Sequence, residues 1–247
     1  MLYVSLILLS VAIVTANVTP KCWENTVAEE IFPYHAYINC EHDQHSNLHQ
    51  WYGVIISDRW ILSVIDYFPS EEICIYYTAH VGAPGRNSSS YYIWPTHKRG
   101  EITLFQTRDP MNFSMPQVQP IKMRDSFDFT YTGQPANLTE LIFEKDDKKS
   151  NAVYAIEVVI SPEKSCRDFL AAYGRRTQLK EGFICSNHPK QVCPSNANSA
   201  LVLGGELVGL STNALPIVVI TDNTTEYART YLSIPHHIAM IKELTGI

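Results

Sequence analysis

Beyond its first sixteen residues, this chain carries its apolar residues in short runs with turn formers between them. Val54 to Ile56, Trp60 to Ile65, Val153 to Ile160, Leu201 to Leu203, Leu207 to Leu210 and Ile217 to Ile220 all read as strands. Gly204 and Gly205 separate two of these runs and read as a hairpin turn, where glycine accepts the positive φ that tight turns need. Two segments look helical. One follows Ser165 and contains Cys166 to Tyr173; the other runs from about Pro235 to Leu244, where Pro235 can open a helix. No repeat, coiled coil or low-complexity tract interrupts the pattern. Periodicity alone predicts an all-β protein with a terminal helix.

With 247 residues and 45% hydrophobic content, the chain can bury one large core or two barrels. Charged residues make up 18%, which argues against long disordered tails. The net charge of -6 disfavours nucleic acid, because phosphate binding needs a clustered basic surface. Lys145 to Lys149 and Arg175-Arg176 are local basic stretches, and both read as solvated loops.

Leu2 to Ala16 is an apolar run ending in Val14-Thr15-Ala16, small enough at its end for signal peptidase. It is short of the roughly 20 residues that span a bilayer. Residues 1–16 are therefore expected to be a cleaved signal peptide, with the mature chain starting near Asn17. No second apolar run offers a membrane anchor. Sequons at Asn17, Asn87, Asn112, Asn137 and Asn223 fit the same secreted, extracellular route. Six cysteines, an even number, are consistent with three disulfides.

His42, His45 and His49, with Glu41 and Asp43, form the one cluster with metal-ligand chemistry. Their histidines would converge if the segment were helical. A polar surface loop between two strands is the expected reading, and no metal or cofactor is expected.

Three stretches carry a sharper signal. Trp60-Ile61-Leu62-Ser63-Val64-Ile65-Asp66-Tyr67 resembles the W-[VI]-L-[ST]-A-A-H-C motif of the trypsin-like serine proteases. Gly100-Glu101-Ile102-Thr103-Leu104-Phe105 resembles their N-D-I-A-L-L. Cys193-Pro194-Ser195-Asn196-Ala197-Asn198-Ser199-Ala200 resembles C-x-G-D-S-G-G-P. Weaker matches run in family order along nearly the whole mature chain: Phe32-Pro33-Tyr34, Gly53 to Ser57, Val118 to Ile121, Phe183-Ile184-Cys185 and Leu207 to Leu210. The resemblance implies a single domain over 17–247 built of two six-stranded antiparallel β-barrels. The first would span about 30–120, the second about 121–234, and a C-terminal helix about 235–244.

The same resemblance implies lost catalysis. Asp66 stands at the histidine position, Glu101 at the aspartate position and Ala197 at the nucleophile. In that mechanism the serine attacks, the histidine takes its proton, and the acid orients the imidazole. An alanine methyl cannot attack, and a carboxylate lacks the two-nitrogen relay. His80, in Thr78-Ala79-His80, is a rival for the base position, but no Trp-aliphatic-aliphatic-Ser stretch precedes it, and a surface strand residue is the default. Ser195 and Ser199 flank Ala197 without matching it. Ser195 also replaces the glycine whose N–H serves the oxyanion hole. Gln191 stands at the base of the specificity pocket in place of an aspartate, and Asn213 and Ala214 replace Trp-Gly. Lys21 lies at the activation junction, but Asn196 replaces the carboxylate that would receive a freed amine.

By resemblance, Cys166–Cys185 matches a family disulfide and Cys40–Cys74 joins neighbouring strands, leaving Cys22 and Cys193 for a third bridge. Trp51 and Tyr67 replace a family cysteine pair, and Leu203 another cysteine. The chain resembles the arthropod-type inactive serine protease homologues. This implies a binding or regulatory role with protein partners, for instance an active serine protease, a cascade component, or an extracellular or reproductive-fluid factor. The alternatives are a protease decoy or inhibitor, and a residual hydrolase with a non-family nucleophile.

Overall fold

The computed structural model describes residues 32–41, 49–65, 74, 76–82, 88–126, 131–142, 152–172, 182–188, 199–211, 217–221 and 224–247. Six strands open the fold: β1 (His35–Glu41), β2 (His49–Ile55), β3 (Trp60–Val64), β4 (Tyr76–Val81), β5 (Ser89–Arg99) and β6 (Ile102–Thr107). They close into an antiparallel barrel in the order β1-β2-β3-β6-β5-β4. Closure removes the exposed edges that a flat sheet would present. The interior holds Ile38, Ile55, Ile61, Ala79, Ile93 and Phe105, all buried. Trp51 is buried there too and lies 6.2 Å from the Tyr77 ring.

A strap over 118–124 leads across the two halves. Ile121 donates its N–H to the Ile55 carbonyl at 2.8 Å, and Arg124 donates to Leu207 at 3.1 Å. The strap contains β7 (Lys122–Met123), which is followed by β8 (Pro135–Ile142), β9 (Ala152–Ile160), α1 (Glu163–Ala172), β10 (Phe183–His188), β11 (Ser199–Leu203), β12 (Glu206–Ser211), β13 (Ile217–Thr221), β14 (Thr224–Ser233) and α2 (Ile234–Thr245). Strands β8, β9, β10, β14, β12 and β11 form a second closed six-stranded ring, because β14 pairs with both β10 and β12. β13 and β7 add to its rim.

Gly204 and Gly205 take φ of 59° and 82° between β11 and β12, so the expected hairpin forms where expected. Gly209 permits the β12–β14 closure, since a Cβ there would come within 2.9 Å of the Tyr231 Cβ. In α2, Pro235 lies in the first turn and Gly246 caps the end with φ of 72°, donating its N–H to Lys242.

The barrels meet through one apolar layer. Outward residues of β2, β3 and β6 (Val54, Leu62 and Leu104) bury against Val202, Leu207, Leu232 and the helix residues Ile238 and Ile241. The outer face of β4 and the first half of β5 carries the exposed residues Tyr76, Tyr92 and Trp94.

Two disulfides lie among the described residues. Cys40–Cys74 joins β1 to the entry of β4 with a Cα separation of 5.4 Å, and Cys166–Cys185 ties α1 to β10 at 6.0 Å. Cys22 and Cys193 lie outside the described residues.

Candidate functional site

The site is built from the ends of strands that meet at the seam. β3 pairs with β6 in the register Val64↔Ile102 and Leu62↔Leu104. Just past the paired stretch, Ile65 donates its N–H to the Glu101 carbonyl at 2.8 Å. The two motif stretches from the first barrel are thus zipped together, with Glu101 beside the residue that precedes Asp66. Asp66 itself, Gln191, Ser195, Asn196, Ala197, Asn213 and Ala214 lie outside the described residues.

On the second barrel, β11 begins two residues after Ala197. Ser199 is fully buried and held from two sides. Its N–H donates to Ser211 Oγ at 2.7 Å, and its own Oγ accepts from Arg229 Nη1 at 2.9 Å. A hydroxyl already accepting from a guanidinium is poorly disposed to attack a carbonyl. Sequence reasoning set Ser199 aside on position alone and overlooked Arg229, which is 2% exposed. A lone arginine in a strand ordinarily reads as a surface residue; sharing a sheet face with Tyr231, two residues on, was the available signal.

A polar knot crosses the seam beside this point. The Tyr34 hydroxyl and Thr139 Oγ1 share a hydrogen bond of 3.1 Å, and Thr139 Oγ1 reaches the Ala200 carbonyl at 3.4 Å. His35 Nδ1 shares a hydrogen bond with the Tyr52 hydroxyl, and Ser63 Oγ donates to the Tyr52 carbonyl. His35 Nε2 is buried with no partner. Burial holds the His35 imidazole down to about 3 and pushes the Tyr34 phenol up, the latter against the Thr139 hydrogen bond. Such a histidine is neutral and sealed from solvent, so it is unsuited to proton exchange with a substrate.

His80 lies in β4 on the outer face, as the default reading holds. Ser90 Oγ lies 2.8 Å from its Nδ1. That pair has the separation of a nucleophile and base, but it stands on the solvent-facing wall across the barrel from the seam. His49 opens β2 opposite Cys40, which is strand rather than helix geometry. His42 and His45 lie outside the described residues, and no metal-type cluster occurs among the described ones. Asn112 and Asn137 are both exposed; Asn112 Oδ1 accepts from Ser114 N at 3.0 Å in a tight turn. Asn87 and Asn223 lie outside the described residues. So do residues 1–16, and no described helix is long and apolar enough to cross a membrane.

Two closed six-stranded barrels joined by a strap and finished by a helix define the fold of the trypsin-like serine proteases. Among solved structures, mouse brain neuropsin, a serine protease, superposes with a TM-score of 0.62 at 16% identity, over 89% of this chain and 97% of that one. The scabies mite inactivated protease paralogue S-D1 superposes with a TM-score of 0.66 at 12% identity, over 90% and 96%. No family model and no curated protein sequence matches the chain.

Proposed function

We propose that this protein is a secreted, catalytically silent homologue of the trypsin-like proteases that acts by binding another protein. The observation that carries the reading is the pairing of Ile65 with Glu101. It brings the two first-barrel motif stretches side by side, which supports reading Asp66 and Glu101 as the residues at the histidine and aspartate positions. Ala197 at the nucleophile position and the engaged hydroxyl of Ser199 add to it. One neighbour of comparable fold is itself described as an inactivated protease paralogue. Secretion is supported by the two disulfides, which persist in oxidising compartments.

A serine-reactive phosphonate probe and a peptide library test the first half of the reading, applied to the mature protein before and after cleavage at Lys21. We expect no stoichiometric labelling and no turnover above a heat-denatured control; either result would overturn it. Mixing the protein with an active serine protease of its native fluid tests the second half. A regulatory cofactor raises that protease's rate, whereas a decoy or inhibitor lowers it.

A further inference from the structure

Three of the exposed large hydrophobic residues among the described ones crowd onto one wall of the first barrel: Tyr76, Tyr92 and Trp94, at 41%, 59% and 43% exposure. The β4–β5 pairing places Thr78 opposite Tyr92 and Tyr77 opposite Ile93, so Tyr76 and Trp94 flank one another on the outer face. The Tyr76 and Tyr92 rings meet edge to face at 5.9 Å. None of the three rings joins a buried cluster, so the packing of the described residues does not account for this aromatic surface.

Cations frame it. Arg108 donates its N–H to the Tyr92 carbonyl at 3.0 Å, and Arg59 Nη1 donates to the Arg108 carbonyl at 3.1 Å, so both arginines lie at one end of the ring cluster. At the far end of β5 stands Arg99, beyond His97, whose ring stacks on Trp60 at 6.0 Å. From Tyr92 to Arg99 the strip runs roughly 23 Å. Elsewhere Lys122, Arg124, Arg167 and Lys242 each meet a carboxylate. Arg59, Arg99 and Arg108 form no ion pair among the described residues, although Asp58 and Asp109 adjoin two of them. Strands β4, β5 and β6 contain no Asp or Glu, in a chain of net charge -6.

We propose that the outer face of β4 and β5 docks an extended acidic polypeptide segment of a partner protein, with apolar side chains over Tyr76, Tyr92 and Trp94 and carboxylates on Arg59, Arg99 and Arg108. Tyrosine, tryptophan and arginine are the side chains that dominate interface energetics, through large rigid contact area and bidentate pairing with carboxylates. Cations at both ends of an aromatic centre fit an elongated ligand. This inference rests on the reading of the protein as a binding protein and assigns that function a surface.

The test uses the full mature protein and a fluorescein-labelled probe of about nine residues, with glutamates at both ends and Phe and Leu between them. Fluorescence anisotropy should report a dissociation constant in the range of about 10–100 μM at low salt, weakening as salt is raised. A probe with lysine for glutamate should not bind. Tyr92→Ser with Trp94→Ser, and separately Arg99→Glu with Arg108→Glu, should each weaken binding at least about tenfold. All four residues are exposed, and matching thermal melts verify that the variants fold. No binding to wild type near 1 mM, or unchanged binding in both variants, overturns the proposal. So does tight binding of dextran sulfate without binding of the peptide, which would make the strip a glycan surface. The phosphonate result is independent of these, so failure of the surface and failure of the silent-homologue reading are told apart.

Discussion

The backbone N–H of Ile65 donates to the carbonyl of Glu101 at 2.8 Å, closing the β3–β6 ladder where the catalytic acid and base of an active protease would face each other. In the proposed reading the scaffold for a triad is kept and its side chains have changed. Asp66→His with Ala197→Ser should therefore still fail to hydrolyse peptides. Losing the serine or the histidine of such a triad costs about a million-fold, nearly as much as losing all three residues. By the family resemblance, the pair of substitutions still leaves Ser195 at the oxyanion glycine position, Gln191 at the pocket-base position and Asn196 in place of a carboxylate. A fluorogenic peptide panel checks this; the expected outcome is turnover no higher than for the wild type.

Acid should destabilise the protein through His35. The folded chain holds this imidazole down to about 3, whereas in the unfolded chain it titrates near its ordinary value of about 6.5. As the pH falls through that window, the unfolded state takes up a proton that the folded state refuses. Stability is thus complete above about pH 7 and is lost progressively toward pH 3, by several kcal/mol. His35→Gln should flatten this part of the profile relative to wild type, leaving the slope due to carboxylates. Urea melts between pH 7 and pH 4 measure the difference. Tyr52→Phe removes the hydroxyl that meets Nδ1 and should cost about 1–3 kcal/mol at neutral pH.

The fold was largely legible because strand runs and turns are local. The Gly204-Gly205 hairpin and the helix at Pro235 appear where the local pattern puts them, while the two-barrel closure and the two described disulfides are those that the family resemblance implied. Leu203, which the resemblance sets at a family cysteine position, is buried as an apolar residue. What escaped depends on facing. Arg229 and His35 look like surface residues in a strand; Arg229 shares the inner face of the second barrel with Tyr231, whereas His35 lies on the outer face of β1 opposite Val54 and is buried where the barrels meet. Tyr92 and Trp94 present the converse case. Large rings in a strand read as core, and they are exposed because β5 has solvent on its outer side.

Glycans should occupy both exposed described sequons. Asn112 sits in a turn and Asn137 faces outward from β8, so a sugar at either meets water. Intact mass of the protein from a secreting host, before and after peptide N-glycosidase, should show at least these two. Asn112→Gln and Asn137→Gln should each remove one glycan. An unshifted mass for either variant rejects that site.

The third disulfide should join Cys22 to Cys193. By the family resemblance, the activation junction lies beside the loop that Cys193 opens, and a covalent link would stand in for the ion pair that Asn196 cannot make. Such a crosslink contributes about 2–4 kcal/mol. Non-reducing peptide mapping should recover one linked peptide pair containing both residues, and finding either thiol alkylated without reduction rejects it.

Ser199 should prove to be a structural residue rather than a reactive one. Its N–H is taken by Ser211 Oγ, and its Oγ accepts from Arg229, a guanidinium that stays charged at any working pH. Removing the hydroxyl by Ser199→Ala leaves a buried charged donor short of an acceptor, a loss of about 1.5–3 kcal/mol. Ser199→Thr keeps the acceptor but adds a methyl to a fully buried site, and should recover only part of the loss. Arg229→Met, which removes the charge while filling much of the volume, should make the two serine variants nearly equivalent to the parent. The cycle is read in denaturant melts. A Ser199→Ala penalty that persists undiminished in the Arg229→Met background would break the proposed link between the two side chains.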